Sequence, residues 1–99
     1  MDYQVIIRNR AQVEIVEIME WYEEREKGLG QYFILCLEAS IESLRRYPTA
    51  YRILQKEYRR FFVRKFPVAI FYIVRGEKIY IDVVEPMPRD PKRLKDKLK

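Results

Sequence analysis

The sequence predicts an α+β domain of order β-α-α-β-β-β, a helical hairpin packed on a mainly antiparallel sheet. Three observations carry this. Two stretches in the first half repeat apolar residues every three or four positions. A glycine pair separates them, and Pro48 closes the second. Residues 58–85, YRRFFVRKFPVAIFYIVRGEKIYIDVVE, then read as three consecutive strands.

Taken in order, Tyr3-Gln4-Val5-Ile6-Ile7 has strand composition and is short enough to pair with the later sheet. Asn9 is the expected N-cap of the first helix, with Gln12 where a capping box places its reciprocal acceptor. Ile15, Ile18, Met19 and Tyr22 build one apolar face, and Glu14, Glu17 and Glu24 lie opposite. Trp21 falls near the acidic side, where it packs at the core edge or anchors a partner. Gly28-Leu29-Gly30 ends this helix and permits a tight reversal. The second helix is expected from about 31 to 47, with Leu29, Phe33, Cys36, Leu37, Ser40, Ile41 and Leu44 on one face. Cys36 inside that stripe reads as a small buried hydrophobe.

Residues 49–57 show no period and read as a loop. In the middle strand, 66–74, Val68, Ile70, Tyr72 and Val74 point one way and Ala69, Phe71 and Ile73 the other. A strand with no polar face belongs at the centre of a sheet covered on both sides. Gly76 supplies positive φ in the following turn, after which Ile79, Ile81 and Val83 are expected to share one face. Pro86, Pro88 and Pro91 end the pairing. The chain thus divides into one domain, 1–91, and a basic tail, 92–99, expected as a frayed helical turn or disordered.

The net charge of +5 is unevenly placed. Residues 1–47 carry 6 Lys+Arg against 9 Asp+Glu, and residues 48–99 carry 14 against 6. An acidic helical half and a basic sheet half favour an anionic partner at the sheet, nucleic acid or acidic protein. A basic surface serving solubility alone is the bland alternative. The one cysteine cannot form an internal disulfide, and MDYQVIIRNR lacks the marks of a secretory signal, so a cytoplasmic location is expected. No apolar run reaches the roughly 18 residues of a membrane span.

With no histidine and one cysteine, neither a Ser-His or Cys-His pair nor a usual zinc site is available. Glycines at 28, 30 and 76 form no phosphate loop, so no cofactor or metal is expected. What remains is a set of cations and aromatics: Arg59, Arg60, Arg64, Lys65 and Arg89 with Tyr58 and Tyr80. Guanidinium groups clamp phosphates and stabilise developing negative charge, and they equally pair with acidic polypeptides. Alternation puts Tyr58, Arg60, Phe62 and Arg64 on one strand face and Arg59, Phe61, Val63 and Lys65 on the other.

The element order, the string RRFFVRKFPVAIFYIVRGEKIYIDVV, Asn9-Arg10-Ala11, Tyr47-Pro48, Phe66-Pro67 and Arg89-Asp90-Pro91 together resemble the RelE/ParE superfamily of type II toxin–antitoxin toxins. The resemblance implies a RelE-like fold and a cytoplasmic toxin neutralised by an antitoxin that wraps around it. RelE-like relatives cleave messenger RNA in the ribosomal A site; ParE-like relatives inhibit DNA gyrase. Arg60 and Arg64 match the family's basic strand, and Arg89 its C-terminal arginine. If the chain is RelE-like, Arg64 and Arg89 are the implied catalytic residues. Where many relatives have an arginine, this chain has Ala69; Glu85-Pro86-Met87-Pro88 lacks the histidine many carry there; and the tail has no tyrosine or histidine. These departures favour gyrase inhibition, or a toxin weakened by drift, over RNA cleavage. A non-catalytic nucleic-acid-binding module is the reading from another class, and it predicts affinity that falls steeply with salt.

Overall fold

The computed structural model describes residues 3–87 and 97–98. Its elements are β1 (Gln4–Ile7), α1 (Asn9–Arg25), α2 (Leu29–Arg46), a 3₁₀ turn (Pro48–Ala50), β2 (Ile53–Gln55), β3 (Tyr58–Phe62), β4 (Val68–Arg75) and β5 (Lys78–Pro86). They form one five-stranded sheet of order β1-β5-β4-β3-β2, with β1 parallel to β5 and every other pairing antiparallel.

The α+β architecture and its helical hairpin are as the sequence predicts, with one strand more. Residues 53–55, read as loop, pair with β3 at the far edge of the sheet. Three residues are too few for alternation to show. The helix starts also differ. Arg8, not Asn9, is the N-cap of α1, and no side chain caps it. Gln12 reaches back the other way, donating its Nε2 to the Ile7 carbonyl at 2.8 Å. The reversal between helices uses Gly28 at φ 90°, and Gly30 already lies inside α2. Glu23 at the end of α1 supplies the missing cap: its carboxylate accepts the amides of Gly28 and Gly30, both at 2.9 Å. Gly30 is required by closeness, since a Cβ there would stand 2.6 Å from the Met19 carbonyl oxygen.

The helices cover one face of the sheet. Ala11, Ile15, Ile18, Phe33, Leu37 and Leu44 pack there on Val68, Ile70, Tyr72, Ile79 and Ile81. Cys36 is buried in the same layer. Phe66 is locked among the rings of Tyr22, Tyr32 and Phe33. On the opposite face Tyr58, Ala69, Phe71, Ile73 and Val83 form a second apolar cluster, capped by Leu98. The two-sided apolar character of β4 thus holds as expected.

Val83 does not share a face with Ile79 and Ile81. The register shifts so that Phe71 faces Val83 while Tyr72 faces Ile81, which leaves Asp82 as the extra residue of a bulge. That bulge turns Val83 to the second face and returns Val84 to the helix side.

β1 is short. It pairs with β5 only as far as Ile81, so the outer edge of β5 beyond that residue has no neighbouring strand in this sheet order. Helix α1 fills in: Glu14 Oε1 accepts the Val84 amide at 2.9 Å. A carboxylate on a helix here does the work of a missing ladder partner.

Candidate functional site

Chain alternation sorts the predicted cations by destination. Arg59 lies on the helix side of β3, where its guanidinium donates to the carbonyls of Thr49 and Tyr51. Tyr72 donates its hydroxyl to the Pro48 carbonyl at 2.6 Å, so these two side chains pin the segment that carries the chain from α2 to β2. Arg59 is therefore engaged in fastening the fold. Burial pushes the Tyr72 hydroxyl well above the ordinary tyrosine range.

Arg60 lies on the other face, half-buried, its guanidinium 5.0 Å from the ring centre of exposed Phe62. It stands beside Phe71 of β4. Ala69, the next β4 residue on this face, sits between Phe62 and Glu85. Tyr80 is separated from β3 by β4 and lies under the Arg8 guanidinium, 4.6 Å from its ring centre.

Arg64 and Lys65 were expected on the strand. β3 instead ends at Phe62, and both residues lie in the exposed turn to β4, with Lys65 at φ 65°. The Arg64 amide donates to Ser40 Oγ at 2.8 Å, which ties this turn to α2. Arg89 lies outside the described residues. The structure therefore brings Arg60 and Tyr80 to one sheet face, continues from Arg60 and Phe62 into the cationic turn, and sends Arg59 to the opposite layer.

The sequence reading missed the group at the bulge. Asp82 is buried, accepts the Tyr58 hydroxyl at 2.6 Å on Oδ2 and forms an ion pair with Arg8, whose Nε lies 2.7 Å from Oδ1. Arg10 donates to the Asp82 carbonyl. Burial first, then the bond to Asp82, holds the Tyr58 hydroxyl above its ordinary value. The signal was present in the letters: a lone aspartate inside IYIDVV is a buried charge needing partners.

A second unforeseen group joins α1, β5 and the C-terminal residues. Lys97 Nζ lies 2.6 Å from Glu14 Oε2 and 2.7 Å from Glu85 Oε2. Burial opposes the lysine charge, but bonding to the two carboxylates outweighs it and holds the pKa above the ordinary lysine value. Beside it opens a cleft of about 500 Å³, lined by Trp21, Tyr22, Glu17, Pro67, Pro86 and Met87 among others. Trp21 is half-exposed there, with the Arg25 guanidinium 3.4 Å from its ring centre.

Among the described residues, no three His, Cys, Asp or Glu side chains gather in a way that would hold a metal ion. No described helix is long and apolar enough to cross a membrane.

The family described as "ParE toxin of type II toxin-antitoxin system, parDE" matches residues 5–91. Among solved structures, the chain is similar to the chromosomal ParDE TA system from P. aeruginosa. The TM-score is 0.75 at 13% identity, and the match covers 87% of this chain and 97% of that one. No curated protein sequence matches significantly. The family match covers nearly all of the described domain, and the chain belongs to the ParE toxins of type II toxin–antitoxin systems.

Proposed function

We propose that this toxin poisons DNA gyrase by binding, without catalysing a reaction, and that a cognate antitoxin neutralises it in the cytoplasm. The observation that carries this reading is the engagement of Tyr58 and Tyr72. Hydrolysis of an RNA phosphodiester needs a group that takes a proton from the attacking hydroxyl and one that protonates the leaving oxygen. The chain has no histidine. Tyr58 and Tyr72 donate their hydroxyls to Asp82 and Pro48, and burial raises the pKa of both above the ordinary tyrosine value. Arg59, a cation that would steady a phosphate, is bound to backbone carbonyls. These features support a binding protein over a nuclease.

The exposed tip formed by Phe62, Arg64 and Lys65, with Arg60 behind it, is the surface we assign to the anionic partner. Its cations suit carboxylates of an acidic antitoxin segment or the gyrase complex, and the aromatic ring supplies contact area. Two assays on the same preparation test the reading. Inhibition of supercoiling by purified gyrase supports it; ribosome-dependent cuts in messenger RNA with gyrase unaffected would establish the RelE-like alternative, in which Arg64 and Arg89 are the residues to test.

A further inference from the structure

The notch left by the short β1 strand holds features that the toxin reading does not use. Glu14 and Glu85 face each other across it, with side chains 11% and 2% exposed. Such carboxylates need a cation, because an uncompensated buried charge is costly. Among the described residues, Lys97 supplies a cation to both. Its backbone is held as well, since Arg10 donates to the Lys97 carbonyl at 3.1 Å. The following residue, Leu98, is 3% exposed against the second apolar cluster. Three different features of a peptide are therefore met at once: an ammonium by two carboxylates, a carbonyl by an arginine, and an aliphatic neighbour by the sheet face. The adjoining cleft adds aromatic and proline walls and a further carboxylate, Glu17.

We propose that this notch, with the cleft beside it, is a recognition site for a partner-protein segment bearing a lysine or arginine followed by an aliphatic residue, and that Lys97-Leu98 occupies the notch in the free chain. The inference does not depend on what the toxin poisons. The chemistry is opposite to that of the cationic tip, so one molecule offers an acidic pocket and a basic projection to different parts of its partners. The chain's own occupant competes with the incoming segment, and apparent affinity falls by the fraction of time the site is free. Removing the Lys97 ammonium raises that fraction.

The probe is an eight-residue peptide with the sequence of residues 92–99, KRLKDKLK, added to full-length protein. Trp21 lines the cleft and is the single tryptophan of the chain, so its emission reports occupancy. The expected result is saturable binding to Lys97→Met, about tenfold or more tighter than to wild type. Binding should be weakened by adding Glu14→Gln and lost when the peptide's second and sixth residues, matching Arg93 and Lys97, are both replaced by norleucine. Equal affinity for wild type and Lys97→Met, or no saturable binding to a folded Lys97→Met, overturns the proposal. Should Lys97→Met fail to fold, wild type decides. A saturable change in Trp21 emission that norleucine abolishes supports the site, and no change at millimolar peptide refutes it.

Discussion

Tyr58 and Asp82 lie on strands that do not touch, β3 and β5, yet the Tyr58 hydroxyl bonds Asp82 Oδ2 at 2.6 Å across β4. Alternation after Ile81 turns Asp82 to the face that carries Tyr58, and the bulge brings Val83 to the same side. Arg8 at the start of α1 holds the other oxygen. One carboxylate thereby joins a sheet interior to the strand–helix connection.

Tyr58→Phe removes the hydroxyl and leaves a buried carboxylate oxygen with less than its full set of donors. The expected loss is about 1–3 kcal/mol in urea unfolding. A variant as stable as wild type would mean that water or the neighbouring arginines replace the bond fully.

Tyr58, Tyr72 and Lys97 each hold their proton more tightly in the folded chain than the ordinary value. Groups whose folded pKa is raised contribute stability that is complete below the unfolded value. That contribution is lost as pH rises through the folded one. The ordinary values are 10.0 for tyrosine and 10.5 for lysine, so stability should hold to that range and then fall. Urea midpoints from about pH 8 to 11 measure this, with phenolate absorbance followed in parallel. Tyrosines that all titrate in the native protein near the ordinary value would contradict it.

Gly30→Ala should cost more than Gly28→Ala. A methyl at position 30 meets the Met19 carbonyl oxygen at 2.6 Å, so the two helices must part, at about 1–3 kcal/mol. At position 28 there is open space, and the cost is that of φ 90° for a residue with a Cβ, roughly 1–2 kcal/mol. Thermal melts of the two variants rank them.

Legibility of the fold followed the length of each pattern. The eight residues of β4 carry two full apolar faces, and both proved to be covered. The three residues of β2 carry no pattern at all. Val83 was placed on the wrong face because alternation assumes an unbroken ladder, and a bulge inverts every residue after it. Asn9 had the right side chain for a cap, but the turn begins one residue earlier. For the candidate site, alternation separated Arg59 from Arg60 correctly, yet could not say which faced the helices. Charge counting gave all the cations equal weight, although internal carbonyls and carboxylates engage Arg8, Arg10 and Arg59. The Glu14–Lys97–Glu85 group joins residues far apart in the chain, and no local pattern announces it.

Arg59 and Arg60 are the pair on which the proposed division between fold and function can be tested. Arg59→Ala frees the Thr49 and Tyr51 carbonyls and should lower stability by about 1 kcal/mol or more while the purified folded protein keeps its activity. Arg60→Ala and Arg64→Ala should melt near the wild-type temperature and lose growth inhibition and antitoxin affinity. Growth arrest on induction, read beside thermal melts, distinguishes the two classes.

The central claim is tested most directly by supercoiling of relaxed plasmid with purified gyrase and increasing toxin. The account predicts dose-dependent inhibition by wild type, at least about tenfold weaker for Arg60→Ala/Arg64→Ala, and reversed by the antitoxin. Full supercoiling at every toxin concentration, with A-site cuts appearing in translated messenger RNA, would contradict it.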